Sequence, residues 1–387
     1  MRKPVYMDYQ ATAPCDRRVL EKMLPYFCDK FGNPHSLHAY GAESRSALEH
    51  ARTQVAAAIG AADPQEVIFT SGATEANNIA IQGVACFYKE RGNRIITSAI
   101  EHKCVLEACN AMQRDGFDVV FVPVHSNGIV DIDYLKAAMN DSTILVSIMA
   151  VNNEIGVCQP IDEISEICRS RGVPFHTDAA QAVGKIPLDA SKVDLMSISG
   201  HKIYGPKGIG ALYVRMKPRV RLTPLFFGGQ QERGIRSGTV PTPLCVGLGE
   251  ASEIAIAEMQ DENARLTEFK NYFIEEIFKN LKKVYLNGDR EKRIPGCLNF
   301  SFEAVEGEGI MLGMRDICVS SGSACTSASL EPSYVLRALS LREDLAHSSL
   351  RIGIGRFTTF NEVKYVCRKV IDVVNKLRLM SPIWSDL

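Results

Sequence analysis

The chain has 387 residues, 46% apolar and 23% charged, enough ordinary globular material for roughly two domains. Its 44 basic and 45 acidic side chains leave a net charge of −1, which gives no electrostatic reason to expect nucleic acid. No apolar run reaches the ~18 residues needed to span a bilayer, and Met1-Arg2-Lys3-Pro4-Val5-Tyr6 has no signal-peptide core, so a cytoplasmic protein without membrane contact is expected.

In chain order, Glu43–Ile59 predicts the first clear amphipathic helix, with apolar positions at Leu48, Ala51, Val55, Ala58 and Ile59. Short apolar runs follow at Glu66–Ser71, Arg94–Ser98, Asp118–Val124, Thr143–Val151, Val173–Asp178, Val193–Ser199 and Gly210–Arg215. Several are rich in Val and Ile without period-2 alternation, as strands buried on both faces should be. Helical patterns lie between them at Glu75–Lys89, Lys103–Arg114 and Ile161–Arg171. This βαβ series predicts an α/β fold with a mostly parallel sheet and helices on both faces. After about residue 250 the character changes. Ala251–Asn280 reads as one or two long helices, Leu298–Phe302 and Ile317–Ser320 as strands, and Asn361–Leu379 as an amphipathic helix. The expected organisation is a large domain over 16–255 and a smaller α+β domain made of 1–15 plus 256–387.

The chemistry-bearing residues cluster at the ends of the predicted strands. Lys202, in Ser199-Gly200-His201-Lys202, follows the buried run Val193–Ser199. Burial depresses lysine basicity and frees the amine to form a Schiff base, and small or hydroxylated neighbours suit a phosphate. Ser71-Gly72-Ala73-Thr74 opens a helix after another strand, an anion cradle in the making. Asp178 and Gln181 end a third strand, where ligands of open α/β sheets bind. An aspartate there can hold a pyridinium nitrogen protonated. His102 follows a fourth strand and can stack on a ring or move a proton. Asn153 follows a fifth, and Arg351 brings a planar fork suited to a carboxylate. Each has an ordinary alternative when taken alone: an exposed loop lysine, a plain helix start, an aspartate cap, a satisfied core histidine, a structural ion pair.

Twelve cysteines form no CxxC pair and show no zinc-type spacing, so no metal site is expected and buried free thiols in a reducing compartment are. Cys325 differs from the rest. It sits in the small, hydrophilic stretch Ser320-Ser321-Gly322-Ser323-Ala324-Cys325-Thr326-Ser327 and can act as a thiolate nucleophile. An incidental surface cysteine is the alternative.

With these residues assembled, the chain resembles the cysteine desulfurases of iron–sulfur cluster assembly, within the class V aminotransferase group of fold-type I pyridoxal phosphate (PLP) enzymes. The likeness runs from Tyr6-Met7-Asp8 to Ser381-Pro382-Ile383-Trp384. It is carried by SGHKIYGPKG, GATEANN, VNNEIG, RSGT and SSGSACTSASLEPSYVL. The resemblance implies PLP as cofactor, L-cysteine as substrate, a homodimer, and an iron–sulfur scaffold or other sulfur acceptor as partner. It casts Lys202 as the Schiff-base lysine, His102 as the ring-stacking acid/base residue and Asp178 as the pyridinium partner. Gln181 becomes the donor to the ring hydroxyl. Ala73, Thr74, Ser199 and His201 become phosphate-side contacts, and Thr239 the one supplied by the partner subunit. Asn153 and Arg351 resemble substrate-carboxylate contacts, and Cys325 the sulfur-accepting cysteine. Two departures stand out: Gln230 follows Gly228-Gly229 where relatives commonly show a third glycine, and many relatives continue past Leu387 in a short tail that contributes to scaffold docking. The competing readings are another class V enzyme, an aminotransferase or selenocysteine lyase, and a non-catalytic partner that stabilises an assembly.

Overall fold

The computed structural model describes residues 3–321, 332–382 and 384. Its strands in chain order are β1 (Val5–Tyr6), β2 (Val67–Thr70), β3 (Arg94–Ser98), β4 (Asp118–Val122), β5 (Thr143–Ser147) and β6 (Phe175–Asp178). They continue as β7 (Leu195–Ser199), β8 (Gly210–Val214), β9 (Val284–Leu286), β10 (Cys297–Phe302), β11 (Ile317–Cys318) and β12 (Ser349–Gly353). Seven form one sheet in the order β2-β8-β7-β6-β5-β3-β4. Only β8 runs antiparallel to its neighbours; the other contacts are parallel.

The sheet is apolar on both sides. Val67, Phe69, Ile96, Val146, Met196 and Tyr213 pack into one core, while their strand neighbours Ile68, Ile95, Leu145, Leu195 and Leu212 pack into another. That two-sided burial explains why the sequence shows continuous apolar runs there. Helix Lys103–Arg114 shows how the covering layer forms: Val105, Ala108, Cys109 and Met112 fall on one buried face, and His102 caps its start.

A third core lies around the antiparallel sheet β12-β10-β9, where Phe300, Phe302, Leu350 and Ile352 meet Val366 and Val370 of helix Phe360–Met380. The N-terminal segment joins it. Met7 is part of this core, and β1 pairs in parallel with β11 through Val5–Ile317 and Tyr6–Cys318. One 39-residue helix, Thr242–Asn280, serves both regions. Cys245, Leu248 and Ala251 pack into one of the large sheet's two cores, and Leu266, Phe269, Phe273 and Ile277 into the third. The helix begins nine residues earlier than its expected start at Ala251. Gly247 and Gly249 mask it in the sequence, because glycine lowers helix propensity. At Gly249 a Cβ would lie 2.7 Å from Ala51 Cα, so glycine lets two helices approach closely.

Candidate active site

Four parallel strands and β2 end on the same side of the large sheet, and the chain leaving each one lines a single cavity of about 540 Å³. It straddles the point where the strand order reverses between β5 and β3, the expected crevice of an open α/β sheet.

After β2, Gly72 turns the chain into helix Ala73–Tyr88 with φ 154° and ψ 178°, a conformation open in practice only to glycine. On the adjoining β8, a Cβ at Gly210 would lie 2.7 Å from Gly72 Cα, so this turn and the sheet touch backbone to backbone. No side chain caps the helix, which leaves its first N–H groups and positive dipole end to an anion. Ala73 and Thr74 are the residues at that end, and both line the cavity. Glu75 instead anchors the surroundings. Its Oε2 accepts from Ser71 N–H at 2.6 Å, and its Oε1 from Arg236 Nε at 2.8 Å. Arg236 thereby ties the loop carrying Thr239 to the rim.

Beyond β3, His102 Nδ1 accepts from the Cys104 backbone N–H at 3.2 Å and lies 3.0 Å from Cys104 Sγ. Burial holds its pKa below the ordinary histidine value. Beyond β6, Asp178 Oδ2 accepts from Asn77 Nδ2 at 2.7 Å, and Oδ1 from Ala180 N–H at 2.9 Å. Gln181 donates from Nε2 to the Gln10 carbonyl at 3.0 Å and accepts from Lys185 Nζ at 2.7 Å. Beyond β7, Ser199 leads into the 3-10 turn Gly200–Lys202. Lys202 Nζ donates to the carbonyls of Gln10 and Ala11, the latter at 2.7 Å. Burial, assisted by the charges of Lys185 and Arg351, pushes its pKa down to about 7. A lysine so placed has a substantial neutral, nucleophilic fraction near neutral pH. His201 Nδ1 sits 3.0 Å from Thr12 Oγ1, and burial takes its pKa down to about 4.

Arg351, on β12, reaches the cavity from the third core and is 1% exposed. Its Nη2 pairs with Asp8 Oδ1 at 2.8 Å and its Nη1 donates to the Asn153 carbonyl at 3.0 Å. The structural ion pair therefore exists, but it does not use the whole guanidinium. Among the described residues, Arg351 Nε and Asn153 Oδ1 are buried with no partner. The orphaned Arg351 Nε–H, an uncapped helix start and a lysine of lowered basicity suit an anionic, carbonyl-bearing group, and the orphaned Asn153 Oδ1 is left for a donor.

The cavity thus gathers Ala73, Thr74, His102, Asn153, Asp178, Gln181, Ser199, His201, Lys202 and Arg351, ten of the expected residues. Thr239 does not line it; it is exposed on the loop held by Arg236. Cys325 lies outside the described residues. Sequence reasoning missed Gln10, Ala11, Thr12 and Cys104, which also line the cavity. The first three sit in a stretch without periodicity ahead of the Asp16-capped helix, and only the polarity of Gln10 and Thr12 marked it.

The comparisons with known proteins agree with this geometry. The family description "Aminotransferase class-V" matches residues 5–366. The chain is 60% identical over 386 residues to the cysteine desulfurase of Homo sapiens, covering 99% of this chain and 84% of that protein. It is 59% identical over 385 residues to cysteine desulfurase IscS of Rickettsia africae (strain ESF-5), covering 99% and 94%. A solved NifS-like protein superposes with a TM-score of 0.89 at 36% identity, covering 96% of this chain and all of that one. The structure of SspA in complex with cysteine superposes with a TM-score of 0.81 at 38% identity, covering 92% and 100%. This chain belongs to the class V aminotransferase family of fold-type I enzymes, in its cysteine desulfurase branch.

Proposed function

We propose that the protein is a PLP-dependent cysteine desulfurase that converts L-cysteine to L-alanine and delivers the sulfur as a persulfide on Cys325. The observation that carries this reading is the convergence of strand-end residues, Lys202 and Asp178 among them, on one cavity. The residues present fit PLP. The uncapped helix start at Ala73 and Thr74, with Ser199 and His201, offers a phosphate site. Asp178, held by Asn77, would pair with a pyridinium nitrogen, Gln181 would donate to the ring hydroxyl, His102 would stack on the ring, and Lys202 would be the covalent anchor. When bound, PLP supplies an electron sink conjugated to the substrate's Cα.

The protein's own groups do the rest. Arg351 grips the substrate carboxylate with its unpartnered Nε–H, and Asn153 with the Nδ2 hydrogens of its side-chain amide. Lys202 and His102 move protons at the substrate carbons. The Cys325 thiolate attacks the substrate sulfur, the Cβ–S bond breaks with its electron pair left on carbon, and that carbon is protonated to a methyl group. One thiol sulfur is oxidised to a persulfide, one carbon is reduced, and no outside oxidant is needed. Thr239 completes the phosphate site of a second copy in a homodimer, and the persulfide passes to an iron–sulfur scaffold or another acceptor. We assign residues 16–255 to the cofactor-binding domain and 1–15 with 256–387 to the small domain. No helix among the described residues is long and apolar enough to cross a membrane. The eleven described cysteines are all free, which supports a reducing compartment such as the cytosol.

The test is incubation of the PLP-loaded protein with L-cysteine, measuring alanine and protein-bound sulfur, beside amino-group transfer to a keto acid. Alanine in step with persulfide is expected. Transfer to the keto acid without alanine formation would overturn the reading in favour of an aminotransferase.

A further inference from the structure

Asp178 and His102 come from different strands, yet one chain of contacts joins them. Asn77, fully buried in helix Ala73–Tyr88, donates from Nδ2 to Asp178 Oδ2 at 2.7 Å and to Cys104 Sγ at 3.2 Å. Cys104 Sγ in turn lies 3.0 Å from His102 Nδ1. With both Asn77 Nδ2 hydrogens committed to oxygen and sulfur, the sulfur is an acceptor on that side. Its own hydrogen is then free to point at His102 Nδ1, which already accepts from the Cys104 backbone N–H at 3.2 Å.

We propose that Cys104, oriented by Asn77, is a positioning residue that fixes His102 as the neutral tautomer carrying its proton on Nε2. This rests on the reading of His102 as the proton-moving residue and goes beyond it by assigning which nitrogen carries the proton. Burial pushes the Cys104 pKa up to about 12, so the thiol keeps the hydrogen it donates. The other charged groups facing His102 are Asp178 beyond β6, which favours its protonation, and Lys202 beyond β7, which opposes it. Glu101 precedes it in the chain. Its Oε1 is occupied by Ser98 Oγ and Met149 N–H, and burial raises its pKa to about 8, so near neutral pH it is largely uncharged.

The test follows His102 directly in cofactor-free protein labelled with ¹⁵N-histidine, its signal identified as the one lost in His102→Gln. The wild type is expected to show a proton on Nε2 and none on Nδ1. In Cys104→Ala one donor to Nδ1 is lost, so protonation becomes easier and the His102 titration shifts upward by about half a pH unit. Cys104→Ser keeps a donor at the same place and is expected to restore the wild-type titration. In the loaded enzyme the acid limb of kcat/KM should move with the titration, with KM unchanged. A proton found on Nδ1 of wild-type His102 overturns the proposal, as does a Cys104→Ala titration identical to wild type. Neither result touches the function reading, which fails separately if the wild type makes no alanine from cysteine.

Discussion

Arg52→Met tests how the loop between β8 and the long helix is held. Arg52 and Glu232 are both buried and meet through two parallel bonds, Nη1–Oε2 and Nη2–Oε1, each 2.9 Å. Glu232 Oε2 also accepts from Phe69 N–H at 2.7 Å, and Arg52 Nη1 donates to the Val67 carbonyl at 2.7 Å. The guanidinium lies over the Phe69 ring, 4.9 Å from its centroid. Glu232 and Arg233 adopt φ of 47° and 59°, left-handed values that side chains sustain only where their surroundings over-determine them. Methionine keeps most of the arginine's bulk and leaves the Glu232 carboxylate buried with a single backbone donor. Breaking such a pair from one side costs about 3–5 kcal/mol. At about 2.1 cal/mol/K per residue of unfolding entropy, roughly 4 kcal/mol over 387 residues lowers the thermal midpoint by about 5 °C. The assay is thermal unfolding of the cofactor-free protein followed by circular dichroism. Arg52→Met with Glu232→Gln removes the stranded charge and should recover at least ~2 kcal/mol, read as coupling in a double-mutant cycle. An Arg52→Met midpoint within about 1 °C of wild type, or purely additive effects in the pair, would refute the reasoning.

Lys202→Ala should abolish alanine formation while free PLP still binds; turnover near the wild-type level counts against the anchor assignment. Asp178→Ala should slow chemistry by orders of magnitude yet cost only about 1–3 kcal/mol of stability, the penalty of leaving Asn77 Nδ2 short of a partner; collapse of the fold with normal activity per folded molecule points instead to a structural role. His176 is fully buried between Ser147 Oγ at 2.8 Å and Ser197 Oγ at 3.0 Å, and burial takes its pKa down to about 3. The unfolded chain therefore takes up this proton first as pH falls, so the contribution is intact above about pH 6.5 and lost progressively below it. Between pH 7 and pH 5 it accounts for about 2 kcal/mol of lost stability, which His176→Gln should remove; an unaltered pH slope in that variant rejects the assignment. Cys325→Ser should bind PLP and L-cysteine but form no persulfide, checked by mass spectrometry after incubation with cysteine; a sulfur adduct on another cysteine with Cys325 dispensable defeats the mechanism.

The sequence was legible where one physical signal dominated. β3 and helix Lys103–Arg114 lie where their patterns put them, because buried β-branched runs and a clean apolar face have little competition. The strand-end residues were legible because a polar side chain just after a buried run has few other reasons to be there. The long helix was half hidden by glycines placed for close packing rather than for a turn. Asn77 lay within a quoted motif and Cys104 within a predicted helix, but their value comes from meeting across helices and strands, which spacing along the chain does not encode. The Arg52–Glu232 pair joins residues 180 apart, and nothing local to either announces it.

The continuous helix Thr242–Asn280 sets a tolerance on the chain's length. At about 1.5 Å per residue it is a rod of roughly 58 Å, and each residue along it turns the following side chains by about 100°. One residue inserted between Ala255 and Leu266 would leave the large sheet's core as it is and swing Leu266, Phe269 and Phe273 off the face they now share with Phe300 and Leu298. To recover that packing the C-terminal region must rotate with them, carrying β12 and Arg351 away from the Asn153 carbonyl. Insertions of three or four residues come closest to restoring the rotation, but they lengthen the rod by about 5 Å. Evolutionary insertions in such a chain should therefore collect in its loops and avoid this stretch of helix.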